Sequence, residues 1–399
     1  MKFRIPLTTN TLGKEEIAVA KAVLDSGFLT MGKLCEKFER EFAAYVGVDH
    51  AIMVNSGSSA NLLALFALEN PLVPLDGGRR RLRAGDEVIV PALAWSTTIW
   101  PVLQAGATPV FVDCDPRTLQ VTPDSIEAAI TPKTAAIVLV HVLGGACDVA
   151  KIREIASRRG LWLFEDTCES LGVTWDGRMV GSFGDMGSFS FYFSHHITTI
   201  EGGMVVTNNA KLADLLRALR AHGWARDMSN GRDVAAQYPD IDARFLFVTT
   251  GFNVRPMEIN AAIGLEQLKR LDGFNAKRRE IAAVLGRGLA SLQQAGHLQL
   301  VTFDSRSVPA PFGYTVLCKT QQARDGLRSH LEACGIETRP VICGNMARQP
   351  AFKHFDYRVS GNLDGADQVM DRGIYWGLHP GMSESDVGAV LQTVREFFQ

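Results

Sequence analysis

Short apolar runs that recur between helical stretches constrain this chain more than any other feature. Glu87–Pro91, Thr108–Val112, Ala135–Val142 and Leu161–Phe164 read as strands separated by helical or loop segments. An earlier run, Ala51-Ile-Met-Val54, ends in Asn55-Ser-Gly-Ser-Ser59 and passes at once into an apolar helix, Ala60–Leu68. That spacing predicts an α/β design, a large mainly parallel sheet covered by helices. Ligands of such sheets bind at the carboxyl ends of the strands. Three features fall at those ends: Ser56-Gly57-Ser58, Trp95, and Glu165-Asp166.

A fourth feature is Ser188-Phe-Ser-Phe-Tyr-Phe-Ser-His-His-Ile-Thr-Thr-Ile-Glu-Gly-Gly203. Ser188–Phe193 alternates small and aromatic residues as a strand does, and it runs into a polar turn carrying His195 and His196. Glu201-Gly202-Gly203 then leads into a second β-rich run, Met204–Thr207. Two imidazoles in a turn between strands, flanked by hydroxyls, mark the place to look for chemistry.

The 399 residues, 46% of them hydrophobic, are enough for two domains. The expected division is 1–271, with N-terminal helices over 12–46 and the large sheet, and 272–399, a smaller α/β domain. A net charge of -2 with interspersed signs argues against nucleic acid or anionic membranes as partners. The seven cysteines are scattered without a CxxC pair or a metal-ligand spacing, as expected of reduced thiols in a cytoplasmic protein that binds no metal. No run approaches a membrane span, and MKFRIPLTTN lacks an apolar signal region.

Taken singly, each candidate has an ordinary alternative. Asp166 reads as a helix cap or loop anchor as readily as a carboxylate facing a cationic ring nitrogen. Ser56-Gly57-Ser58 reads as a helix N-cap or as a phosphate-binding turn. Trp95 fits a core position as well as a stacking one, and Ser190 fits an ordinary strand. One of the two histidines is expected to be structural. What raises all of these sites is their joint placement at the strand ends of one sheet.

Several longer segments make the pattern recognisable: Val54-Asn-Ser-Gly-Ser-Ser-Ala-Asn61, Pro91-Ala-Leu-Ala-Trp-Ser96, Glu165-Asp-Thr-Cys-Glu-Ser170, Ser188–Gly203 and Gly251-Phe-Asn-Val-Arg-Pro256. With them the chain resembles, over essentially its whole length, the sugar aminotransferase branch of the fold-type-I pyridoxal-phosphate enzymes. Members of that family carry a Schiff-base lysine six residues before the Glu-Gly-Gly, and here that position is His195. No lysine occurs between Lys151 and Lys211. The resemblance therefore implies a coenzyme held only by non-covalent contacts and impaired aminotransfer. The Ser-His-His form is similar to the 3-dehydratases of the family, and Arg220-Ala-His-Gly-Trp-Ala-Arg226, Gly264-Leu-Glu-Gln-Leu-Lys269 and Gly344-Asn345 fit that branch. A sister branch acting on CDP-hexoses carries cysteines for an iron–sulfur cluster. Residues 169–317 contain no cysteine, so no cluster and no reductase partner are expected here.

The resemblance further implies 3-dehydration of a nucleotide-linked 4-keto-6-deoxyhexose, GDP-4-keto-6-deoxy-D-mannose, in colitose-type deoxysugar biosynthesis. Pyridoxal and pyridoxamine phosphate would serve as coenzyme forms, with L-glutamate as amino donor and ammonia released. Residue by residue it implies His195 as the catalytic base and acid, and Gly57, Ser58 and Ser190 at the phosphate. Trp95 would stack on the ring, Asp166 would pair with the pyridine nitrogen, and Glu169 would lie near the coenzyme. Asn253 would reach the phosphate from a neighbouring subunit, making a homodimer with shared active sites. His222, Arg226 and Arg255 are expected to contact substrate, since basic groups suit a diphosphate. The alternatives are an aminotransferase or 3-dehydratase for another nucleotide sugar, and a non-catalytic pyridoxal-phosphate-binding protein.

Overall fold

A computed structural model describes residues 3–399. Eight strands form the large sheet, in the spatial order His50–Val54, Gly203–Thr207, Met186–Ser190, Trp162–Asp166, Thr134–Val140, Glu87–Pro91, Thr108–Val112, Arg358–Val359. From Met186–Ser190 to Arg358–Val359 all neighbours run parallel, whereas Gly203–Thr207 is antiparallel to both of its neighbours. Both faces are covered, so the central strands are largely apolar, with Glu165 and Asp166 as buried exceptions at the end of one. In Glu87–Pro91, Val88 and Val90 enter one core while Ile89 enters the other.

The predicted strands Glu87–Pro91 and Thr108–Val112 have those bounds in the structure. The predicted strand Ser188–Phe193 instead spans Met186–Ser190. It stops because its partner begins opposite Ser190, at Gly203. The turn that follows is closed by the His195 N–H donating to the Tyr192 carbonyl at 2.9 Å. The sequence from Gly251 through Leu271 reads as one long helix, but the helix starts only at Glu258 and ends at Leu268, and a second helix covers Leu271–Gln294. Residues 251–256 are diverted by backbone bonds to Leu219, Arg220 and Asn55, and Pro256 disfavours helical geometry just before it.

A four-stranded antiparallel sheet, ordered Leu298–Leu300, Gly313–Cys318, Gly373–Gly377, Thr338–Arg339, forms the second centre. Helices Leu271–Gln294, Gln321–Ala333 and Glu384–Phe398 pack on it around Leu285, Leu289 and Trp376. One piece of this half returns to the large sheet. Arg358–Val359 pairs with Val110–Phe111, and the Arg358 guanidinium donates two parallel bonds, both 2.9 Å, to the Glu87 carboxylate. Among the described residues no helix is long and apolar enough to cross a membrane.

Candidate active site

The turn between the strand His50–Val54 and the helix Gly57–Glu69 is both a cap and a cradle. Ser56 Oγ accepts the Ser59 N–H at 3.1 Å, the N-cap reading of this motif. The first amides of a helix have no acceptor within it and carry its positive end, so those of Gly57 and Ser58 suit an anion. Position 57 admits only glycine on steric grounds. A Cβ there would lie 2.5 Å from Ser190 Cβ, 2.9 Å from its Oγ and 3.0 Å from Cys168 Sγ. Gly57→Ala is therefore expected to cost about 1–3 kcal/mol by overpacking, read from the denaturant midpoint, with Ser190 forced out of the cavity wall.

Asp166 ends the strand Trp162–Asp166 and is nearly buried. Its Oδ2 accepts from Asn61 Nδ2 at 2.8 Å and Thr98 Oγ1 at 2.7 Å, and its Oδ1 accepts the Cys168 N–H at 3.1 Å. Asn61 is itself held by Ser188 Oγ, which donates to its Oδ1 at 2.6 Å. Every partner of the carboxylate donates to it, which fixes its orientation. Neither Asn61 nor Thr98 stands out in the sequence as a site residue. The available signal was a lone amide in the apolar helix Ala60–Leu68.

The preceding residue works as an anchor. Glu165 is fully buried and accepts N–H groups of Gly181, Phe183 and Gly184 at 2.8, 2.8 and 2.6 Å. His141 Nδ1 accepts the Cys147 N–H, which leaves its Nε2 to donate to Glu165 at 3.0 Å.

The two neighbouring imidazoles have separate fates. His196 is buried and donates from Nε2 to the Ala310 carbonyl at 2.8 Å, so it is the structural member of the pair. His195 lines the cavity, edge-on to the Phe312 ring at 5.2 Å and to Tyr192 at 5.9 Å. Desolvation, aided by the Arg278 charge, pushes its imidazole down to about 4, so it is uncharged at neutral pH. Glu169 lies across the same cavity. Desolvation, with the nearby Asp166 charge adding to it, lifts its carboxyl to about 7, although the Leu143 N–H donates to Oε2 at 3.2 Å.

Gly57, Ser58, Trp95, Asp166, Glu169, Ser190 and His195 thus surround one cavity of about 410 Å³. Asn61, Thr98, Glu201, Phe312 and Tyr375 complete its wall. His222, Arg226, Arg255 and Asn253 are not in that wall; they gather at a second place. The guanidinium of Arg226 lies 3.6 Å above the Trp224 ring and that of Arg255 lies 5.6 Å from it, with the His222 ring edge-on at 4.9 Å. Arg255 Nε donates to Asn253 Oδ1 at 3.1 Å. No group of three or more His, Cys, Asp or Glu side chains among the described residues is placed to hold a metal ion.

Residues 10–395 match the model of the DegT/DnrJ/EryC1/StrS aminotransferase family. The chain belongs to that family. Among its DegT/DnrJ/EryC1/StrS relatives is the GDP-4-keto-6-deoxy-D-mannose 3-dehydratase of Yersinia pseudotuberculosis, 38% identical over 94% of either chain. The enzyme of the same name from Escherichia coli O55:H7 is 38% identical, covering 94% of this chain and 95% of its own. A solved E. coli GDP-4-keto-6-deoxy-D-mannose-3-dehydratase with bound hydrated PLP superposes with a TM-score of 0.89 at 34% identity, over 99% of this chain and all of the other. The family fold accounts for the sheet and its switch from parallel to antiparallel neighbours.

Proposed function

We propose that the chain catalyses C3 dehydration of GDP-4-keto-6-deoxy-D-mannose, using pyridoxal and pyridoxamine phosphate as untethered coenzyme, with L-glutamate as amino donor and ammonia released. The observation that carries this reading is an imidazole, not an amine, lining one cavity together with a carboxylate held by three donors. The donor set fits the coenzyme. The cradle at Gly57, with Ser58 and Ser190, suits a phosphate dianion; Asp166, held by three donors, suits a protonated pyridine; and Trp95, half exposed at the rim, offers a face to a flat ring. When bound, the coenzyme supplies an electron sink for bond cleavage beside its imine carbon.

The remaining work falls to the protein. His195, uncharged, accepts a proton at a ring nitrogen and returns it to the C3 hydroxyl as that group departs. A lysine there would both bond the coenzyme and hand a proton to sugar C4, completing an amination. Glu169 near the coenzyme supplies a second group that titrates close to neutrality. Asp166→Ala removes a charge-assisted hydrogen bond worth about 1.5–3 kcal/mol. It is expected to weaken coenzyme retention roughly 10- to 100-fold, measured by fluorescence titration.

The proposal includes a homodimer in which Asn253 reaches the partner's phosphate site, while His222, Arg226 and Arg255 contact the substrate diphosphate. Their grouping around Trp224, apart from the cavity, supports action on another copy. So do the exposed Tyr192, Phe193 and Ile200 on the segment that carries His195. It also includes two domains, 1–271 and 272–399, and a cytoplasmic setting, which is supported by seven cysteines without a disulfide.

Incubation with GDP-4-keto-6-deoxymannose, coenzyme and glutamate tests the reading. Ammonia with a sugar lacking the C3 oxygen is the expected result. A stable 4-amino sugar, or coenzyme binding without turnover, would overturn it.

A further inference from the structure

The segment Pro309–Phe312 crosses behind the two histidines on its way into the small sheet. The Ala310 carbonyl accepts from His196, and the Phe312 ring lies 5.2 Å from the His195 ring and 5.6 Å from that of His196. The other edge of the segment is tied to the large domain's loop, with Ala310 N–H donating to Gly144 at 3.0 Å and Phe312 N–H to Leu143 at 3.2 Å. Arg278 holds it from below. This arginine, in the helix Leu271–Gln294, is 4% exposed. Its Nη1 donates to the carbonyls of Pro311 at 3.4 Å, Phe312 at 3.1 Å, and Leu378, while its Nε is buried without a partner.

No carboxylate among the described residues acts on this guanidinium. A buried cation neutralised only by carbonyl dipoles is costly, and such groups cluster where a charge does work on its neighbours. Burial lowers the guanidinium to about 10, so it remains charged at neutral pH, and its charge acts on both His195 and His196.

We propose that Arg278 is a positioning residue for His195: it fixes the Pro309–Phe312 segment so that Phe312 backs the imidazole, and its buried charge adds to desolvation in disfavouring an imidazolium there. The inference rests on the assignment of His195 as the base. The other groups facing the ring are the Tyr192 phenol, Glu201, Glu169 and Asp166 around the cavity, with His196 behind. The three carboxyls, when ionised, would favour an imidazolium, and Arg278 opposes them from the buried side.

The test is an NMR titration of the coenzyme-free, histidine-labelled protein, with the His195 signal assigned by its loss in His195→Asn. The wild-type signal is expected to titrate well below 6.5. In Arg278→Gln the midpoint should rise by roughly half a unit or more. Arg278→Lys keeps the charge but not the fork, so it should hold the midpoint near wild type while lowering kcat. A folded Arg278→Gln protein with an unmoved midpoint would overturn the proposal. So would a wild-type midpoint at or above 6.5, a result that needs no variant to fold. If His195→Asn kept full turnover, the assignment of the base would fail separately, whatever the titration shows.

Discussion

Replacing His195 with asparagine is expected to cut ammonia release by about 10²–10⁴-fold, the usual contribution of a positioned acid–base group, with coenzyme retention unchanged. Asparagine matches the imidazole's bulk but cannot exchange a proton near neutrality, so only the chemical step should suffer. His195→Lys makes the complementary test. An amine at this position would bond the coenzyme, seen as added mass on the protein after borohydride reduction, and the wild-type protein should show none. Coenzyme found attached to the wild-type chain, or a His195→Asn protein with normal turnover, would remove His195 from the reaction.

The second large effect lies at the residue before Asp166. Glu165→Ala is expected to destabilise the protein by about 3–5 kcal/mol, because deleting this buried carboxylate leaves four donors without their acceptor. Its three backbone donors and His141 Nε2 would be stranded in an interior that water does not reach. Each stranded donor costs about 1–3 kcal/mol, offset in part by relaxation of the 181–184 loop. Glu165→Gln retains acceptor oxygen for part of the set and should lose less. Urea unfolding measures both, and a Glu165→Ala midpoint equal to wild type would show that the carboxylate anchors nothing.

Much of this architecture was readable because it depends on local periodicity. The strands Glu87–Pro91 and Thr108–Val112 follow from apolar runs bounded by polar turns, and the candidates at the strand ends meet because parallel strands deliver their carboxyl ends to one side. The features that stayed hidden depend on partners remote in sequence. Asn61 matters through Asp166, which lies 105 positions away, and Thr98 through the same carboxylate 68 positions away. Glu258 is a further case, since its side chain accepts the N–H groups of Gly32, Leu34 and Cys35 and so caps a helix at the other end of the chain. Arg278 reads as one more charge in a polar helix until its carbonyl partners are seen. A two-residue strand such as Arg358–Val359 has no period to detect at all.

That late strand bears on how the protein is made. While a nascent chain is still short of Arg358, the strand Thr108–Val112 has an open outer margin, and Glu87 lacks the cation that later neutralises it. An unpaired strand margin is a template for wrong partners on a crowded ribosome. Misassociation during synthesis should therefore be most frequent before the carboxyl-terminal stretch emerges and pairs with Val110 and Phe111.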